Sequence, residues 1–162
     1  MNPTTAFEDA VELLDNDHKA VKKMFIDYNG LCEVEAPGDD RLQLARKICD
    51  ALTVHAQIEE EIFYPKVREA VGDGLIDEAL EEHAQAKAMI AQIQAMDADD
   101  EALDNTVKAL AKAIDEHVLE EREQIFLLAR QSPMDLKSLA QPLADRQKQL
   151  KKKAPAKKKV AA

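Results

Sequence analysis

An all-α fold is what this sequence predicts: an up-down antiparallel four-helix bundle, then a short C-terminal helix and a disordered basic tail. Three observations predict it. The 162 residues are rich in Ala, Leu, Glu, Lys and Gln, with 4 Gly, 6 Pro and 4% aromatics, a composition that favours helix over sheet. Breaking signals are few and far apart. Between them, apolar residues recur by alternating threes and fours, the period of a helix with one buried face. At 46% hydrophobic residues the chain is too apolar for a disordered protein, and its length suits one domain with a sizeable core.

The breaks fall at Asn29-Gly30, around Pro37-Gly38-Asp39-Asp40, at Gly72-Asp73-Gly74, from Asp97 to Asp100, and at Ser132-Pro133. At the last, proline disfavours helical geometry in the residue before it. The first helix carries the stripe Phe7, Val11, Leu14, His18, Val21, Phe25, Tyr28, and the second Ala45, Ile48, Leu52, His55, Glu59, Ile62. The third carries Ile76, Leu80, His83, Lys87, Ile90, and the fourth Leu103, Val107, Leu110, Ile114, His117, Glu121, Ile125, Leu128. Acids gather at helix starts (Asp39-Asp40, Asp99 to Glu101), where the helix dipole favours them. Short connections make neighbouring helices antiparallel. The bundle accordingly spans residues 1–131, the short helix 132–150 and the tail 151–162.

Charge is unevenly spread over this frame. The net charge is -10, yet no acid follows Asp145, while eight basic residues do (Arg146, Lys148, Lys151, Lys152, Lys153, Lys157, Lys158, Lys159). Such a tail either solubilises the chain or folds loosely onto the acidic body. It also suits a weak, salt-sensitive contact with nucleic acid or another polyanion, without reading sequence. The two cysteines, Cys32 and Cys49, are too few and too oddly spaced for a disulfide framework or a thiolate zinc site. There is no Gly-rich nucleotide fingerprint. No apolar run approaches the ~20 residues of a membrane span, and the first residues lack a secretory pattern, so the expected location is the cytoplasm.

The stripes are interrupted by chemistry. The chain has 4 His, each in mid-stripe and one on each long helix. Twice a Glu follows one turn later, as His55-x-x-x-Glu59 and His117-x-x-x-Glu121, so each pair stacks about 6 Å apart on one inward face. Counting residues from the bends puts His18, His55, His83 and His117 with Glu59 and Glu121 in one slab of the bundle. A single buried His is ordinary. Two buried carboxylates are not, because an unpaired buried charge costs several kcal/mol. Lys87, the obvious internal cation, cannot satisfy both Glu and also explain four imidazoles. A metal cluster accounts for all six. Six ligands exceed one structural zinc site and suit a dinuclear centre of borderline first-row metals, with iron, manganese and zinc all compatible.

The order His18, then His55-Ala-Gln-Ile-Glu59-Glu60, then His83, then His117-Val-Leu-Glu-Glu121 resembles the hemerythrin-like, HHE cation-binding family over roughly residues 8–131. So does the continuation Glu59-Glu60-Glu61-Ile62-Phe63-Tyr64-Pro65. The resemblance implies two iron ions in a non-haem, oxo- or hydroxo-bridged centre. His18, His55, His83 and His117 would be its nitrogen ligands, with Glu59 and Glu121 as bridging carboxylates. It further implies binding or sensing of oxygen or nitric oxide, or reaction with peroxide. The alternatives are a small catalase-like enzyme that decomposes hydrogen peroxide, and an iron-responsive or metal-free interaction bundle.

Two departures from that family's oxygen carriers stand out. Lys87 occupies the place of a second third-helix His, and His117-x-x-x-Glu121 replaces a His-x-x-x-x-Asp. Glu60, Glu120 and Tyr64 are near enough to complete the ligand set, although the two Glu also suit a solvated face and Tyr64 a packing role. Lys87 either snorkels outward or directs its ammonium at the cluster, behind the ligands, where it would stabilise a bound anion such as peroxide.

Overall fold

The computed structural model describes residues 7–160, with side chains through Lys152, and its regular structure is helical throughout. Helix α1 spans Ala10–Glu33, its first turn capped by the Asp9 carboxylate, which accepts from the Glu12 N–H at 2.9 Å. The helix runs through Asn29-Gly30, where the sequence suggests a break. A lone Gly inside a helix costs only about 1 kcal/mol, and the buried Tyr28 holds this turn by donating to Asp104 at 2.6 Å. The reversal comes instead just beyond, where Glu35 adopts a φ of 53°.

Helix α2 (Gly38–Ile58), a π-helical turn (Glu59–Phe63) and α3 (Tyr64–Val71) form one unbroken rod. Gly38 is required at its start, since a Cβ there would lie 2.3 Å from the Ala98 carbonyl oxygen. Gly72, at φ +94°, ends the rod. Helix α4 covers Gly74–Ala95. The next rod repeats the earlier pattern: α5 (Leu103–Glu120), a π-helical turn (Glu121–Phe126) and α6 (Leu127–Gln131), stopped before Ser132-Pro133. Helix α7 covers Leu136–Val160. Its backbone therefore continues past Leu150, where the sequence suggests a disordered tail. Lys and Ala are strong helix formers and favour that extension, while Pro155 within it opposes it. Residues 161–162 of the expected tail, and 1–6 of the expected bundle, lie outside the described residues.

Four rods pack in a ring: α1 touches α2 and α5, and α4 touches α2 and α5, while α7 lies against α1 and α2. The buried apolar residues form two clusters rather than one. One holds Leu14, Ile58, Phe63, Ala79 and Ile125. The other holds Val21, Leu52, Ala86 and Leu110. Along each rod the boundary between the two falls at or beside a histidine: between Leu14 and Val21, between Leu52 and Val54 next to His55, between Ala79 and Ala86, and between Leu110 and Ile125. A polar layer thus crosses the core at one level. Among the described residues, no helix is long and apolar enough to cross a membrane.

Candidate metal centre

The layer gathers the six residues that the stripes single out. All are buried: His18, His55, His83 and His117 are 6–8% exposed, Glu59 0% and Glu121 1%. The imidazoles form two pairs, His18 with His55 (ring centroids 4.7 Å apart) and His83 with His117 (4.9 Å). Glu59 spans the pairs, with Oε2 3.3 Å from His55 Nε2 and Oε1 3.2 Å from His83 Nε2. Glu121 does the same from the opposite rod, its Oε1 3.1 Å from His18 Nε2 and its Oε2 3.9 Å from His117 Nε2. Donor atoms of His18, His55, Glu59 and Glu121 lie within 4.8 Å of one another, as do those of Glu59, His83 and His117.

The protein alone does not satisfy this layer. His117 Nε2, Glu59 Oε2 and Glu121 Oε1 are buried and have no hydrogen-bond partner, close as their neighbours are. Buried polar atoms are normally paired, and nitrogen and carboxylate donors left open toward a common centre fit a bound cation. Burial disfavours charge on Glu59, yet its contacts with His55, His83 and Glu121 hold its pKa well below the usual carboxylate range. Burial also opposes the imidazolium of His55, but Glu59 and Asp17 together raise its pKa well above the usual histidine value. Without metal, protons on the histidines would have to balance the buried carboxylates.

Each Nε2 points inward because something holds Nδ1 outside. His55 Nδ1 is 3.0 Å from Asp17 Oδ2, His83 Nδ1 2.7 Å from Glu60 Oε2, and His117 Nδ1 2.6 Å from Glu82 Oε1. His18 Nδ1 is more loosely held, 3.5 Å from Asp15. Outer carboxylates of this kind fix ring orientation and raise ligand basicity. In each of the three close pairs the acid sits on the preceding rod: Asp17 on α1 serves α2, Glu60 serves α4, and Glu82 on α4 serves α5. The sequence reading misses this role for Asp17 and Glu82 and assigns Glu60 a solvated face. A signal existed. Each acid is the sequence neighbour of an inward residue (His18, Glu59, His83), and one residue turns about 100° around a helix, onto the flank that meets the next rod.

Tyr64 is also more than packing. Its hydroxyl is 2.5 Å from Glu121 Oε2, 3.2 Å from Glu59 Oε1 and 3.3 Å from His83 Nε2. Burial, followed by the two carboxylates, pushes its pKa well above the usual phenol value. The π turn puts it there: the Tyr64 N–H bonds to the Glu59 carbonyl, five residues back. In an α-helix five residues would carry it about 140° away. Phe126, five residues after Glu121, is likewise buried and stacks on His18 at 5.8 Å. Such π turns occur often at functional sites.

Lys87 does not reach the centre with its charge. Its half-exposed side chain places Nζ 2.9 Å from Glu60 Oε1. Glu120 stays at the rim, half-buried, where the Glu82 charge chiefly raises its pKa.

Comparisons with known proteins agree with this geometry. The hemerythrin HHE cation binding domain matches residues 9–129. A crystal structure of a hemerythrin HHE cation binding domain-containing protein from Mycobacterium kansasii has the same fold, with a TM-score of 0.76 and 21% identity over 93% of this chain and 92% of that one. A DNA nickase from Nostoc sp. is 34% identical over 79 residues, which are 49% of this chain and 22% of that protein. The chain thus matches about a fifth of that relative's length. With its His/Glu layer able to hold cations and the family's domain covering most of its length, the chain belongs to the hemerythrin HHE cation-binding family.

Proposed function

We propose that the layer holds two iron ions, ligated by His18, His55, Glu59, His83, His117 and Glu121, in a hemerythrin-like four-helix bundle that binds or senses a small ligand such as oxygen or nitric oxide. The observation that carries this reading is that each carboxylate faces one histidine of each pair, as a bridge between two ions requires. Mixed imidazole and carboxylate donors suit iron. Such a centre, when bound, supplies redox chemistry and coordination positions for an exogenous ligand.

The chain's own residues favour a small, uncharged ligand. The four imidazoles form one wall of a chamber of about 30 Å³, closed otherwise mainly by apolar side chains including Leu52, Ile90 and Ile114, with Lys87 at its edge turned to Glu60. That is room for about a water-sized molecule or a diatomic, and an apolar wall penalises a hydrated anion. Peroxide decomposition is the second reading. It is less favoured because the Lys87 ammonium is engaged by Glu60. Both cysteines are free thiols, which suits a reducing cytoplasm.

Metal analysis of purified protein and its absorption spectrum after aerobic iron loading test the centre. Two irons per chain with oxo-to-iron bands are expected, and protein that stays iron-free and colourless overturns the reading. Reversible spectral change under oxygen or nitric oxide favours binding, whereas oxygen evolution from added peroxide favours the enzyme. The basic end beyond Asp145 supports a weak contact with nucleic acid. Removing residues 151–162 should abolish salt-sensitive retention on DNA and leave metal content unchanged.

A further inference from the structure

The carboxylates behind the histidines differ in how their charge is met. Asp15 is held by Arg122 at 2.7 and 3.0 Å, Asp17 accepts from the Gln147 amide at 2.8 Å, and Glu60 pairs with Lys87 at 2.9 Å. Glu82 binds His117 on one side, and its further neighbour is another acid, Glu120. Glu78, one turn before Glu82 on α4, joins them along one narrow cleft between α4 and the α5 rod. No Lys or Arg lines that cleft among the described residues. Its inner end is formed by His117 and Glu121, 7% and 1% exposed, whose Nε2 and Oε1 are without hydrogen-bond partners. The cleft holds about 10 Å³, near the volume of one water.

The other approaches to the layer suit a cation badly. The larger groove between α1 and α5, which reaches His18, is lined by three cations, Lys19, Lys22 and Arg122, against one acid, Asp115. The chamber on the imidazole face is mostly apolar, and stripping water from a divalent ion without replacing its ligands is prohibitive there. Along the acidic cleft each displaced water can be replaced by a carboxylate oxygen, from the exposed Glu78 to the half-buried Glu82 and Glu120 and on to the open donors of His117 and Glu121.

We propose that the cleft formed by Glu78, Glu82 and Glu120 is the port through which a divalent metal ion enters the centre. This rests on the metal-binding reading above. The port raises the local concentration of cations and hands them inward, so it governs the rate of loading rather than the final content. Charged clefts of this kind raise association rates by about 10- to 1000-fold at low ionic strength.

The test mixes metal-free protein with Co²⁺ and follows the visible d–d bands of the bound ion, with bound cobalt per chain measured at the end. Glu78→Gln with Glu120→Gln should load several-fold more slowly at low salt, converge with wild type at high salt, and reach the same final content. Gln124→Lys, which sets a cation at the mouth, should slow loading further. Glu33→Gln with Glu69→Gln removes the same charge outside the cleft and should load at the wild-type rate. Equal rates in the cleft variant and wild type overturn the port while leaving the centre standing, as does equal slowing by the control pair. A wild-type protein that takes up no cobalt at equilibrium overturns the metal-binding reading and the port with it.

Discussion

Glu59 offers its two carboxylate oxygens to histidines on two different rods, Oε2 to His55 at 3.3 Å and Oε1 to His83 at 3.2 Å. His55 belongs to its own rod, one turn back, while His83 comes from α4. A side chain so placed lies between the two histidine pairs, and in the proposed two-ion centre it would serve both. Glu59→Ala or Glu121→Ala should therefore leave fewer than two metal ions per chain, rather than merely weaken one site. Elemental analysis after exhaustive loading checks this, and two tightly held ions in either variant would contradict the shared role.

Tyr64 touches both carboxylates, and Tyr64→Phe keeps its ring while removing those bonds. A hydrogen bond to a charged group contributes about 1.5–3 kcal/mol. Metal-free Tyr64→Phe should be less stable by that order in urea denaturation, with an unchanged dependence on denaturant. No loss would mean that the hydroxyl is not bound to ionised carboxylates in solution.

Without metal, the buried ion pairs give a defined pH dependence. His55, whose pKa is raised above its ordinary 6.5, adds stability that is complete below 6.5 and is lost as pH rises through the folded-state value. Glu59, whose pKa is lowered from 4.5, adds stability that is complete above 4.5 and is lost as pH falls through its folded-state value. Both contributions are therefore whole between pH 4.5 and 6.5, by linkage between protonation and folding. Thermal unfolding of metal-free protein should show its optimum there. The metal-loaded protein should shift the optimum upward, since protons compete with metal for the same nitrogens.

Lys87 and Glu60 separate charge at the surface from support of a ligand. Lys87→Ala removes a half-exposed ion pair and should cost less than about 1 kcal/mol, with metal retained. Glu60→Ala takes away the acceptor of His83 Nδ1 and should weaken metal affinity by about 10- to 100-fold. Competition with a chelator measures both. Equal effects would place Lys87 closer to the chemistry than its contact with Glu60 implies.

The alternating stripes made the helical rods legible, and the interruption of every stripe by a histidine made the layer legible, because burial and period are written in residue type. The outer carboxylates were harder, since an acid on a helix flank looks the same whether it faces water or a neighbouring imidazole. Tyr64 stood among the candidates, but its place against the carboxylates was hidden for a different reason. Its inward position depends on a π turn whose one-residue widening leaves no mark in residue spacing. The passage of α1 through Asn29-Gly30 shows that a turn dipeptide yields where the residues around it are held by burial.

Since Asp17 braces His55, Glu60 braces His83 and Glu82 braces His117, three of the rings are aimed from a neighbouring rod. Sliding the α2 rod or α4 along its axis would detach both the ring it braces and the ring it carries, so the layer doubles as a vernier for the alignment of the rods. A ligand that tilts one imidazole is thereby wired to the outer surface of the adjacent rod. For His55 the line continues through Asp17 to Gln147 of α7, the helix packed outside the ring against α1 and α2.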